Sequence, residues 1–558
     1  MSNVETLDPP QPAVVEVATP RDWTSRLLGW GPHVVVWLLL WVPTVRSLAR
    51  GWRPLGDDAE IAVGAWRSLT LNPPLVGHVT FATSSSNIAD PGPLEYWFLG
   101  PFDHLDPGQG VLIGSALLCA VVLSVAIWVL HRSVSVWAGV ILSLVVADLA
   151  IVSPNQFIDP VWNCHFGAFW FVSFLAVAFV VGLGNLRYYP LLLFFGSVTV
   201  DSHLIYLPTV AIVLVTAPLC GWFTKRPPNF RWLWWTAGVA VVCWIGPLYQ
   251  QLFDARPNIS GLLRSVGILK GGVPDKTEGW AFGLRAMSRV ASFNPIFASP
   301  RPTFPFTSSN DIAQRNVWMG VVLVAVLVGV AVLARIHHHP RVVSMCVVSV
   351  SGMFGVLILL ASTPRDYYVS FIWVNLTIWI VGICVWVTLG LAAVTALRPH
   401  LAPTAAEREE WGGWATAKAG RSVVLAIVVV ACVAGLLVVA FPYGNHEFLV
   451  DWTSMARAQH MAVDVEEHVP KGQVDLGVIY KGDNPLQLAS DEHGAAYLLL
   501  TDGYRPGVEP QINQLLGMPI VKKSPFVLFY EHGSDLVHAR YLPHYVVLWF
   551  LDPHLQKP

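Results

Sequence analysis

The chain has 558 residues, of which 54% are hydrophobic and only 13% charged, and its formal net charge is −2. Soluble domains carry about 25% charged residues, so this composition excludes a soluble globular protein. The near-neutral balance also excludes a nucleic-acid partner drawn in by a strong overall field.

Residues 1–29 are proline-rich and polar, with Arg21 and Arg26 close to the first apolar run and no small-residue cleavage site after it. That pattern predicts a cytoplasmic tail and an uncleaved first helix. Apolar runs of spanning length then recur at 30–49, 109–130, 134–153, 166–184, 188–201, 203–221, 232–253, 316–335, 342–361, 367–395 and 422–442. These make about eleven transmembrane helices by length and hydropathy. Trp30, Trp41, Trp137, Trp222, Trp232 and Trp318 flank such runs, as an interfacial aromatic belt does. Short connections with Arg132, Arg187, Lys225, Arg226, Arg231, Arg335, Arg341 and the stretch Arg398–Arg421 are placed inside by their positive charge. The connections 50–108, 154–165, 201–203, 254–315 and 362–366, and everything after 443, are acidic, aromatic or proline-rich and are placed outside. Arg46, Arg50 and Arg53 run against that rule, as arginines that snorkel to headgroups or bind an anionic lipid do.

The expected architecture is mainly α: a polytopic protein of the cell membrane with a transmembrane domain over 30–442 and a soluble α/β domain over 443–558. In the first outer loop (50–108), Ile61, Val63, Ala65, Trp66 and Leu69 fall at helical spacing after acidic residues, which predicts a helix lying along the membrane surface. The large outer loop (254–315) is broken by Gly and Pro, above all over Pro300–Pro305. After residue 443, strand-like runs (Val474–Tyr480, Phe526–Tyr530, Tyr545–Leu551) alternate with helix-like ones (Phe448–Val469, Gln487–Leu500). The 7 cysteines show neither a disulfide framework nor metal-ligand spacing.

Chemistry gathers in the outward connections. Asp57, Asp58, Glu60, His78, Asp90 and Glu95 lie in the first, Asp159, Trp162, Asn163 and His165 in the second, Asp201 and His203 in the third, and Arg365, Asp366, Tyr367 and Tyr368 near the fifth. Carboxylates at a membrane boundary are costly to desolvate and are seldom there for packing alone. A carboxylate can take a proton from an incoming hydroxyl, a guanidinium can hold a phosphate, and aromatic faces can stack on sugar rings. The bland reading of Asp57 and Asp58 is a pair suited to a helix N-terminus, that of Glu60 a solvated capping acid, and that of His165 and His203 local backbone partners. No His-x-x-x-His or Asp-x-Asp spacing marks a metal site, and none is expected.

The segments Gly56-Asp57-Asp58-Ala59-Glu60 and Asp90-Pro91-Gly92-Pro93-Leu94-Glu95-Tyr96-Trp97-Phe98-Leu99 carry a resemblance to a known family. They resemble integral-membrane glycosyltransferases of the C superfamily (GT-C), near the protein mannosyltransferase and aminoarabinose transferase group and of an actinobacterial type. Pro93-Leu94-Glu95-Tyr96 stands in register with that group's His-Pro-Pro-Leu-Tyr-Tyr type of segment, while Asp90-Pro91-Gly92 and Glu95 depart from it. The resemblance implies a GT-C-like transmembrane domain, a polyprenyl-phosphate-sugar donor and an outward-facing site. The expected reaction is inverting transfer of a hexose or pentose, such as mannose or arabinose, to a cell-envelope glycan, glycolipid or protein acceptor.

Asp58 is the expected base, with Asp57 aligning the acceptor. Arg365, His203 and His165 are assigned to the donor phosphate, and Glu95, Tyr96, Trp97, Trp162, Asn163 and Tyr367 to the sugar and acceptor. Membrane lipids are partners and nucleic acid is not. No cofactor is required, with a divalent cation left open. The alternative is a transporter or flippase of envelope precursors, although such proteins keep ionisable groups inside their spans.

Overall fold

The computed structural model describes residues 23–78, 88–152, 157, 159–224, 231–254, 257–265, 269, 276–289, 317–364 and 375–401, together with scattered positions over 433–466 and the segments 475–478, 485–508, 526–528, 536–542 and 545–550. In chain order the helices are α1 (Trp23–Ala49), α2 (Asp57–Ser68), α3 (Leu94–Leu105), α4 (Gly110–Ser133), α5 (Val136–Val152), α6 (Asn163–Gly182), α7 (Tyr189–Ser202) and α8 (Leu207–Thr224). They continue with α9 (Arg231–Phe253), α10 (Asn258–Ser265), α11 (Trp280–Ser288), α12 (Trp318–Ile336), α13 (Pro340–Ser362), α14 (Asn375–Leu401) and α15 (Pro485–Thr501).

Among the described residues, 8 helices are long and apolar enough to cross a membrane. The shorter Val136–Ile151 is apolar too, and α7, with 14 residues, is short for a span. Most of the run 422–442 lies outside the described residues. Helix α6 is apolar on every side, and a helix of that kind belongs in a core. It is accordingly encased by α4, α7, α8 and α13. Helices α9 and α12 instead expose Trp234, Trp235, Val241, Ile245, Val322 and Leu333, an apolar surface of the kind that suits a lipid environment.

The up-and-down order has a consequence for function. Helix α1 ends, α4 begins, α6 begins, α7 ends and α8 begins at one end of the bundle, and α2 and α3 lie between the first two of these. Every acid that the sequence singles out in the first three outward connections therefore belongs to that end. The large loop is not wholly irregular, since it contains α10 and α11. Asn258 at the start of α10 bonds both ways with Ala89, accepting from its N–H and donating to its carbonyl, each at 2.9 Å. This clamp holds the residue just before Asp90.

The expectation of a surface-lying α2 needs correction. Residues 58–65 of α2 are buried, because α3 covers one flank and α15 another. Gly64 permits the first contact: a Cβ there would come within 2.7 Å of the Tyr96 ring. Trp52, Ala59, Ile61, Ala62, Val63 and Ala65 share one apolar cluster with Leu99, Val111, Ala495, Ala496, Tyr497 and Leu499. Alanine and valine on α2, with His493-Gly494-Ala495-Ala496 on α15, allow the helices to approach closely.

A polar latch fastens the same contact. The Tyr497 hydroxyl donates to Asp103 Oδ1 at 2.5 Å and accepts the Gly108 N–H at 2.8 Å. Tyr497→Phe leaves two buried polar groups without this partner, and an unsatisfied buried group costs about 1–3 kcal/mol. A lower melting temperature of the detergent-solubilised protein is the expected reading. Burial lifts the Asp103 carboxyl to about 7, Asp106 adding to the rise and the Tyr497 and Gly108 bonds offsetting part of it. A raised acid stabilises the fold fully below its ordinary value of 3.8 and loses that contribution as pH climbs through about 7. Melting temperature thus falls across that window through Asp103, and Asp103→Asn flattens the fall.

Beyond α14 the described strands are β1 (Asp475–Val478), β2 (Arg505–Val508), β3 (Phe526–Leu528), β4 (Leu536–Leu542) and β5 (Tyr545–Phe550). They form one sheet in the order β2-β1-β3-β5-β4. The β1–β2, β1–β3 and β3–β5 pairs are parallel, and β4–β5 is antiparallel. Helix α15 connects β1 to its parallel neighbour β2, so the element that covers α2 is also the crossover of this sheet.

Candidate active site

Seven carboxyl groups gather where α2, α3, α6 and α7 meet: Asp57, Asp58, Glu60, Asp90, Glu95, Asp159 and Asp201. All but Asp57, which is partly exposed, are buried. The acids of α2 fall in its first turn, where unpaired N–H groups favour negative charge. Asp159 precedes α6, and its carboxylate accepts the backbone N–H groups of Val161 and Trp162.

Asp58 and Asp159 form the central pair. Asp58 hydrogen-bonds to the Asp159 carboxylate, and burial, then the nearby Asp159, Asp57 and Glu95, push its carboxyl well above the ordinary range. Two buried carboxyls in contact cannot both ionise, so they hold one proton between them and titrate as a unit. His165 Nδ1 lies 3.0 Å from the Asp159 carbonyl oxygen. A carbonyl only accepts, so Nδ1 carries the proton. The Trp162 and His165 rings meet edge to face at 4.7 Å.

Around this pair the other acids find different partners. Trp162 Nε1 donates to Asp57 Oδ2 at 2.8 Å. Burial raises the Asp57 carboxyl, while His78 and that hydrogen bond offset part of the rise. Glu60 contradicts the reading of a solvated capping acid: its Oε2 lies 2.6 Å from His78 Nε2 and its Oε1 3.2 Å from His493 Nδ1. Burial alone would raise it, but the two imidazoles, His78 foremost, win and hold it down at about 2. Burial opposes charge on His78 as well, and Glu60 overcomes it to lift the imidazole to about 10.

Asp90 Oδ1 accepts the Leu204 N–H at 2.8 Å, and its Oδ2 accepts from Asn163 Nδ2 at 3.3 Å. Burial lifts Asp90 to about 8, with His78 and these bonds offsetting only part. Burial also pushes the Glu95 carboxyl, which lies against the Ser202 hydroxyl, well above its ordinary range. Neither Asp201 oxygen has a hydrogen-bond partner among the described residues. Its carboxyl occupies the space that a side chain on residue 92 would need. Gly92→Ala drives a Cβ into that carboxyl, and overpacking of this kind costs about 1–3 kcal/mol. Differential scanning of the purified protein reads the loss.

The structure thus brings together Asp57, Asp58, Glu95, Trp162, Asn163 and His165. His203 stands at the edge, its Nδ1 accepting the Ile205 N–H at 3.2 Å, one residue from the Leu204 amide that binds Asp90. Tyr96 is packed into the α2–α3 contact, and Trp97 donates from Nε1 to the Pro74 carbonyl at 3.1 Å. Arg365 and Tyr367 lie outside the described residues. Sequence reasoning passed over His493 and Asn258, which come from distant segments and carry no local motif. Asp57, Glu60 and His78 also each present a ligand atom within 4.8 Å of the others, a set able to hold a metal ion.

No family model and no curated protein matches this chain. A solved structure, ArnT from Cupriavidus metallidurans bound to undecaprenyl phosphate, aligns over 90% of each chain with 14% identity and a TM-score of 0.47.

Proposed function

We propose that the chain is a membrane-embedded glycosyltransferase that moves a sugar from a polyprenyl-phosphate donor to a cell-envelope acceptor at the outer face of the membrane. The observation that carries the reading is the proton-sharing pair Asp58–Asp159, buried at the end of the bundle where α1 stops and α6 starts. A carboxyl pair of this kind offers one ionised oxygen to an incoming hydroxyl while its partner retains a proton. In the inverting reaction, the acceptor oxygen attacks the anomeric carbon as the bond to the lipid phosphate breaks. The acceptor proton passes to the pair, and the phosphate leaves with the bonding electrons. The apolar flanks of the bundle suit a long isoprenoid tail beside it, and Arg365 and His203 are assigned to the departing phosphate.

The sequence 443–558 is assigned to an outward-facing α/β domain that frames the acceptor entrance through α15. The identity of the sugar, arabinose or mannose among the candidates, is a matter for the donor panel in the test. Purified protein in liposomes is supplied with radiolabelled polyprenyl-phospho-pentose or polyprenyl-phospho-hexose and an acceptor glycan. Label moving from lipid to acceptor supports the transferase. Donor crossing the bilayer with its sugar still attached, and no label on any acceptor, refutes it in favour of a flippase.

A further inference from the structure

We propose that Asp57, Glu60 and His78 form a site for a divalent first-row metal ion, with His493 gripping the far oxygen of Glu60, so that metal loading fastens α15 onto α2. The inference is independent of the reaction proposed for Asp58 and Asp159.

Three observations lead to it. The first is convergence: one atom from each of the three side chains falls within 4.8 Å of the other two. Ligands about 2.0–2.2 Å from a common ion stand well within that separation of one another. Asp57 and Glu60 are three residues apart and so share a face of α2, while His78 arrives from a different segment. The second is charge. The His78 imidazole now balances Glu60 at 2.6 Å, and a dication between Asp57 and Glu60 would take over that role, with the imidazole releasing its proton and turning its nitrogen to the ion. One imidazole with two carboxylates suits zinc or manganese, and the ligand set does not select further between them.

The third observation is the surrounding support. Metal-bound carboxylates are themselves held by outer hydrogen bonds, and both carboxylates here have such a neighbour. Trp162 Nε1 donates to Asp57 Oδ2 at 2.8 Å, and His493 Nδ1 lies 3.2 Å from Glu60 Oε1. The 2.6 Å approach of His78 to Glu60 would then be the contact that the ion opens and enters. His493 belongs to α15, which makes the site a tie between the first outward connection and the helix between β1 and β2.

The test reads metal, without any sugar donor. Full-length protein in detergent is stripped with chelator, exposed to Zn2+ or Mn2+, desalted and assayed by elemental mass spectrometry. Wild type is expected to retain about one equivalent of one of the two ions, and Glu60→Gln and His78→Gln to lose it. His493→Gln, which removes a supporting group only, should weaken affinity by about 10–100-fold. If the ligand variants fail to fold, X-ray absorption on the loaded wild type decides, with one imidazole and oxygen ligands expected. A wild type that holds neither ion, or variants that hold it equally well, leaves a proton-bridged ion pair in place of the metal and overturns the proposal.

Discussion

Asp58→Asn is expected to reduce sugar transfer by about 10²- to 10⁴-fold, the usual range for loss of a general base, while the protein stays folded. The substitution is nearly isosteric. An asparagine amide can still donate to the Asp159 carboxylate as the Asp58 carboxyl does, so the local packing has no reason to change. What disappears is an oxygen able to receive a proton and share it. Asp159→Asn should produce a loss of similar size, because either carboxyl of the pair needs the other to divide one proton between them. Groups that act as a unit are strongly non-additive, so the double variant should be little worse than either single one. Initial rates with radiolabelled polyprenyl-phospho-sugar, on variants whose elution from a sizing column matches wild type, measure all three. Near-normal transfer by the folded Asp58→Asn protein would remove the pair from the mechanism.

The bundle was legible because a bilayer imposes a coarse rule on sequence: a span needs a long apolar run and little else. Expected runs such as 109–130, 232–253, 316–335 and 342–361 coincide closely with α4, α9, α12 and α13. The periodicity of Ile61, Val63, Ala65 and Trp66 gave the existence of α2 but not its surroundings, since the same apolar stripe serves a lipid surface or a protein partner. Here the partner is α15, more than 400 positions along the chain, and no local pattern in either helix names the other.

The same limit governs the candidate site. Asp57 and Asp58 were visible because acids beside a span are expensive, and Asp159, Trp162 and Asn163 because they fall together in the second connection between apolar runs. Their partners were not visible. Nothing near Glu60 announces that His78 and His493 close on it, and Asn258 holds Ala89 through a contact that only the folded loops create. The reading of Glu60 as a solvated cap failed for this reason. First-turn position is a good sign of dipole compensation, but it says nothing about what later folds over the helix.

Glu60→Ala should therefore be among the most damaging single substitutions to stability, costing about 3–5 kcal/mol, as removal of one partner from a buried charged cluster does. The side chain is 2% exposed, and each of its oxygens faces a different imidazole, from His78 and from His493. Deleting it strands both rings in a site that also contains Asp57 and the Asp58–Asp159 pair, and it removes the anchor that α15 finds on α2. Replacing the group rather than stranding it makes the argument sharper. Exchanging buried charges together for apolar groups of similar volume is often close to neutral, so Glu60→Met combined with His78→Leu and His493→Leu should recover much of the loss. Thermal melts in detergent, with limited proteolysis of the segment around α15, compare the two proteins. If the single variant melts with wild type, the cluster is not what holds α15 in place, and the apolar contacts of Ala495, Ala496 and Leu499 with the Tyr497 latch suffice for docking.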